Sequence, residues 1–107
     1  MSELMNLYET ALKRKEHPEE GSYTSYLYEK GLGKILKKVG EESTEVVVAA
    51  CTQSDEELIG EISDLAYHVM VLMAYKGITP EDIENELSRR AKKEHNLKAE
   101  RKPVEQL

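Results

Sequence analysis

The segment Ile62 to Tyr75 reads ISDLAYHVMVLMAY, and within it only Asp64 and His68 can carry charge. A helix apolar on every face is a buried helix, so the chain has to supply other elements around this one. Those elements read as helices too. Ser2 is a candidate N-cap for a helix ending near Lys15, with Leu4, Leu7, Tyr8, Ala11 and Leu12 along one stripe. His17 and Pro18 end it, and HPEEGSYTS, residues 17 to 25, reads as a loop from its Pro, Gly and Ser content. A second helix is expected to start between Ser25 and Leu32 and to reach Thr52, with Gly31 and Gly33 as breaks near its start. Gly40 lies inside it at a cost of about 1 kcal/mol relative to Ala. It is either a tolerated defect or a place where something approaches the backbone. Ser54 and Glu57 form a capping-box sequence for a third helix, from about Asp55 to Lys76, closed by Gly77. Thr79 caps a fourth, with Pro80 at its first position and Ile83, Leu87 and Ala91 as its stripe. Residues 95–107 read as a frayed tail, and His17 and His95 as surface residues.

The expected fold is therefore all-α: one domain, 1–107, an antiparallel bundle of about four helices joined by short connections. With neither Trp nor Phe, the core has to come from aliphatic residues, Met and six Tyr. Three short helices cannot cover every face of the third, so a homo-oligomer is expected, dimer or tetramer, with Ala66, Val69, Met70 and Met73 at the interface or in the intrachain core. A net charge of −6 argues against nucleic acid as a partner. No apolar run approaches the roughly 18 residues of a membrane span, and MSELMN does not read as a signal peptide. The single Cys51 excludes an intrachain disulfide, fits a reducing cytoplasm and is expected to be a small core residue.

Against this apolar background the acids stand out. On a helical wheel, Ile35, Val39, Glu42, Val46 and Ala49 share one face of the second helix, with Glu45 and Glu41 progressively to one side. On the third helix Glu61, Asp64 and His68 project along one line. Folding the hairpin at Gln53 brings Glu45 level with Glu61 and Glu42 level with Asp64, about 12 to 16 Å from the turn. Two carboxylates about 5 Å apart repel by about 3 kcal/mol at an effective dielectric near 20. The spacing thus predicts a four-carboxylate cluster with Glu41 at its edge, and something has to offset its repulsion. Structural pairing with Lys34, Lys37 and Lys38 is one answer. The favoured one is a divalent cation, since an all-oxygen donor set suits Mg²⁺ or Mn²⁺. Lys34 and Lys38 are either phosphate contacts or i,i+4 partners of the glutamates, and His68 is either functional or a hydrogen-bonded core histidine.

The stretch EESTE followed by Glu61-Ile-Ser-Asp64 reads E-E-x-x-E … E-x-x-D, and it resembles the signature of the all-α, MazG-like nucleotide pyrophosphohydrolases. GSYTSYL at 21–27, KKVGEESTEVVVAA at 37–50 and DLAYHVMVLM at 64–73 narrow the resemblance to the phosphoribosyl-ATP pyrophosphohydrolase family, over roughly residues 5 to 91. The resemblance implies a nucleotide-binding hydrolase of histidine biosynthesis. Its second step converts phosphoribosyl-ATP to phosphoribosyl-AMP and pyrophosphate. It also implies that Glu41, Glu42, Glu45, Glu61 and Asp64 hold Mg²⁺, with Glu42 or Glu45 activating water. His68 stands where many superfamily members carry Asn, which fits the histidine-pathway branch. The Gly21, Ser22, Tyr23 and Thr24 segment and the lysines before Gly40 become candidate substrate contacts. Two rivals remain at this point: a housekeeping hydrolase of non-canonical nucleoside triphosphates, and a non-catalytic helical interaction module whose acids form surface salt bridges.

Overall fold

The structure, a computed structural model, describes residues 2–93 of the chain; the expected frayed tail and His95 lie outside them. The described residues form five helices and no strand: α1 (Glu3–Glu16), α2 (Tyr23–Lys30), α3 (Leu32–Thr52), α4 (Asp55–Lys76) and α5 (Pro80–Ala91). The all-α class is as expected, but the count is five. The additional helix lies partly inside the segment read as a loop. Ser22 caps α2 by accepting from the Ser25 N–H, so GSYTS carries a helix start within a stretch whose Gly and Ser suggest a loop. An eight-residue helix has little stability of its own. This one is held by burying Thr24 and Leu27 and by hydrogen bonds of Tyr23, Thr24 and Tyr28 to α4 and α1.

Gly31 separates α2 from α3. Its φ of 95° and ψ of −178° place it in a backbone region that is almost exclusive to glycine. The remaining boundaries follow their capping residues. Ser2 Oγ accepts from the Met5 N–H at 3.1 Å. Ser54 and Glu57 form a reciprocal capping box, as do Thr79 and Asp82. At the far end of α4, Gly77 takes the left-handed conformation, and Lys15 on α1 donates to the carbonyls of Ala74 and Tyr75 at 3.2 and 3.0 Å. The Ala74 carbonyl also accepts from the Gly77 N–H at 3.3 Å, and a cation suits this end of the helix dipole. On α5, hydrogen bonds from Arg89 and Arg90 hold the Glu86 carboxyl down to about 2.

The core sits where α1, α2, the first half of α3 and the second half of α4 meet. Tyr8, Ala11, Leu27, Ile35, Val71, Met73 and Ala74 are buried there, with Tyr28, Tyr67 and Tyr75 packed around them. Tyr28 joins three helices: it donates to the Ala11 carbonyl at 2.8 Å and its ring stacks on Tyr75. Burial pushes its phenol up to about 12.

Beyond this core the α3–α4 hairpin runs on as a bare arm. Val47, Val48, Ile59 and Ile62 are exposed on it, Ile59 by 64%. So α4 is not covered on every face within one chain, as expected from the shortness of its neighbours. It is also long and apolar enough to pass for a membrane span. Its place between α1 and α3, with Glu61 and Asp64 along it, is that of a bundle's central helix. Cys51 is exposed, not a core residue. It lies on the bare arm and off the Ile35–Val39–Glu42–Val46–Ala49 face that turns toward α4.

Two glycine substitutions should move stability in opposite directions. Gly31→Ala should cost about 1–3 kcal/mol, because alanine is strained at that φ and ψ. Gly40→Ala should gain about 0.4–1 kcal/mol, because a Cβ there meets nothing within 4 Å and the helix is regular. Denaturant midpoints of the two variants check this directly.

Candidate active site

The hairpin turn at Gln53 does what the residue count requires: it sets α3 and α4 antiparallel and brings their acids level. Glu42 from α3 and Glu61 and Asp64 from α4 have carboxylate oxygens that all lie within 4.8 Å of one another. Glu42 belongs to the inward face of α3, and only 13% of its side chain is exposed. Glu61 is half-buried and Asp64 is open to solvent. The group therefore sits at the lip where the core ends and the bare arm begins.

Glu45 is not among the three, but it is close. Burial raises the Glu61 carboxyl above its ordinary range, and the next cause is the charge of Glu45, followed by Asp64, Glu42 and Glu57. Glu41 stands at the edge, 3.3 Å from Lys38 Nζ, and the same ammonium is 3.8 Å from Glu42. Burial opposes the charge on Lys38, yet its pairing with Glu41 and its acidic neighbours leave its pKa raised, so it stays cationic. One lysine against five acids leaves the cluster strongly negative. Lys34, one turn before Lys38, has no ion pair among the described residues. An all-carboxylate, half-buried, mutually repelling set is the donor chemistry that a hard divalent cation satisfies.

Alongside the acids lies a layer of aromatic residues. His68 is buried, 6% exposed, and its Nδ1–H donates to the Asp64 carbonyl at 2.8 Å. A carbonyl oxygen can only accept, which fixes that tautomer and leaves Nε2 to accept from the Tyr23 hydroxyl at 3.1 Å. Thr24, also buried, shares a hydrogen bond with the Tyr67 hydroxyl. Burial raises the Tyr23 phenol pKa, partly opposed by Lys38, with Glu42 among the charges that add to the rise. Two successive residues of α2 are thus pinned to two successive residues of α4. Of the expected site residues, Ser22 serves as the α2 cap and Gly21 has a positive φ in the turn before it. Tyr67 and Tyr26 were missed by the sequence reading. The signal was the recurrence of Tyr at 23, 26 and 67 in a chain with neither Trp nor Phe.

A groove of about 480 Å³ lined by Leu4, Met5, Val69, Met70, Met73 and Ile83 contains none of the acids. Its lining is mainly apolar, with Ser2 and Glu84 as the polar members.

The repulsion has a testable consequence in the metal-free protein. Because the folded state raises the Glu61 pKa, it binds that proton more tightly than the unfolded chain does. Stability from this group is fully present below the ordinary glutamate range and is lost as pH rises through the raised value. At neutral pH Glu61→Gln should therefore melt above the parent protein. The difference should vanish on acidification below the ordinary glutamate range. A lower melting temperature at neutral pH would mean that Glu61 is held by attraction.

A model of the family described as "Phosphoribosyl-ATP pyrophosphohydrolase" matches residues 4–91. A phosphoribosyl-ATP pyrophosphatase of Clostridium acetobutylicum is 54% identical over 104 residues, covering 97% of this chain and 94% of that protein. One of Leuconostoc mesenteroides is 59% identical over 91 residues, covering 85% of this chain and 79% of its own. The histidine biosynthesis bifunctional protein HisIE of Caldanaerobacter subterraneus is 60% identical over 92 residues, covering 85% of this chain and 45% of that longer protein. With the matched span containing all five acids, Lys34, Lys38, His68 and the whole of α2, the chain belongs to the phosphoribosyl-ATP pyrophosphohydrolase family.

Proposed function

We infer that this chain hydrolyses phosphoribosyl-ATP to phosphoribosyl-AMP and pyrophosphate, the second step of histidine biosynthesis, in the cytoplasm. The observation that carries the chemistry is the convergence of Glu42, Glu61 and Asp64 from two helices, within a chain of this family. These three would hold a divalent cation, Mg²⁺ or Mn²⁺, with Glu45 and Glu41 at the margin. Such an ion, when bound, neutralises phosphate oxygens and lowers the pKa of a bound water.

The chain's own groups divide the remaining work. With Glu42 engaged in the cluster, Glu45 is the carboxylate left to accept the proton of the attacking water. Lys38, placed against Glu41 and Glu42, and Lys34, a turn earlier and without an ion-pair partner among the described residues, lie where a polyphosphate leaving the cluster would run. Gripping the outer two phosphates as a unit places the reacting phosphorus next to the acids. Pyrophosphate, not orthophosphate, is then the leaving group.

Early turnover should give one pyrophosphate per phosphoribosyl-AMP, with no free orthophosphate. Orthophosphate together with phosphoribosyl-ADP would overturn the assigned bond. Turnover on dUTP, dCTP or ITP in preference to phosphoribosyl-ATP would favour the housekeeping hydrolase. Glu42→Gln and Asp64→Asn should each lower kcat by about a thousandfold, the loss of several kcal/mol of charge stabilisation, without lowering the melting temperature of the metal-free protein.

We also propose that the bare arm of α3 and α4 packs against a second copy, which would cover Val47, Val48, Ile59 and Ile62 together. Light scattering at micromolar concentration should give at least twice the chain's 12.2 kDa. A monomer mass would refute the assembly.

A further inference from the structure

Tyr23 combines two properties that rarely occur together. The residue is 44% exposed, yet its hydroxyl is fastened to a buried group. That group, His68, is itself locked, since its other nitrogen is committed to the Asp64 carbonyl. A tyrosine that only sealed the core would bury its face and leave its hydroxyl to water. Here the hydroxyl is anchored while much of the residue stays open to solvent.

The surroundings extend that surface. The Tyr26 and Tyr67 rings lie 6.0 and 6.1 Å from Tyr23, centroid to centroid, with planes within 24° and 23° of its own. Lys30 Nζ sits 5.8 Å from the Tyr26 ring centre. The shelf they make is a near-parallel aromatic stack, with the Lys30 ammonium over the Tyr26 ring. At its other margin Tyr23 feels the charges of Lys38 and Glu42, so the shelf borders the acid cluster.

We propose that this shelf, with Tyr23 at its centre, is where the adenine of the substrate stacks, and that His68 is a positioning residue that holds Tyr23 without touching the substrate. The assignment rests on the reading of the chain as a phosphoribosyl-ATP hydrolase, and it names the part of that site that grips the base. A ring fixed in advance loses no rotamer freedom when a base settles on it, so its full stacking energy goes into binding. Lys38 reaches the acids from the shelf's edge, so a base on the shelf would lead its phosphates toward the cluster.

The test uses adenosine monophosphate in EDTA, which separates the shelf from any cation, and pyrophosphate as an inhibitor of turnover. On the parent protein, adenine H2 and H8 should shift upfield by ring current, and the Tyr23 ring resonances should move with them. Tyr23→Leu should weaken adenosine monophosphate about tenfold, the scale of one base–aromatic stack. It should raise KM for phosphoribosyl-ATP similarly, with a smaller change in kcat, and leave pyrophosphate inhibition within about twofold. Tyr23→Phe keeps the ring and loses its anchor, so its loss should be about threefold. His68→Leu removes the same bond, and the double variant should be no worse than either single one.

Three results would overturn the proposal: no adenine shift on the parent protein, equal weakening of pyrophosphate and adenosine monophosphate, or independent, multiplying effects of Tyr23→Phe and His68→Leu. If His68→Leu fails to fold, Tyr23→Phe still tests the anchor. Failure of the parent protein to release pyrophosphate from phosphoribosyl-ATP would refute the assigned reaction instead, and the adenosine monophosphate titration would still decide the shelf.

Discussion

Three carboxylates from two helices share a space 4.8 Å across, and the rest of the molecule is arranged around keeping them there. Left to themselves, like charges at that distance separate. What prevents this is the tight α3–α4 hairpin, pinned at one end by the Ser54–Glu57 capping box and at the other by the core that buries Ile35, Val71 and Ala74. Lys15, reaching across to the last carbonyls of α4, extends that clamp to α1. The acids are therefore held on two rigid helices and not on a loop, which is the arrangement that preserves a binding geometry without its ligand.

On one side of this centre, α2 contributes a different kind of surface. Its first two residues are tied to Tyr67 and His68 on α4, and Asp64, four residues before His68, offers its carboxylate to the cluster and its carbonyl to the histidine. One turn of α4 thus carries both the charged and the aromatic sides of the site. Asp64 links them through its two ends, its carboxylate in the cluster and its carbonyl on the histidine.

Much of this was legible in the residues. The caps at Ser2, Ser54 and Thr79 mark helix starts that the structure keeps, because capping is local chemistry decided within four residues. The alignment of Glu42 with Asp64 follows from counting outward from Gln53, because an antiparallel hairpin of regular helices has only one register. By contrast, α2 was hidden. Its propensity is weak and its Gly and Ser content suggests a loop; its stability comes from Leu27, Thr24 and Tyr23 finding partners forty or more residues away. The exposure of Cys51, Val47, Val48 and Ile59 was equally unreadable. Composition says how apolar a helix is, and only the lengths of its neighbours decide how far along they cover it.

The central claim is that the acids of α3 and α4 converge to receive a divalent cation, and one measurement addresses it without reference to turnover. Crystals soaked in Mn²⁺ should show an anomalous scattering peak between the carboxylates of Glu42, Glu61 and Asp64. The peak should disappear in Asp64→Asn crystals of the same form. No peak at millimolar Mn²⁺, or one elsewhere on the chain, would contradict the account and return the cluster to a salt-bridged surface around Lys38.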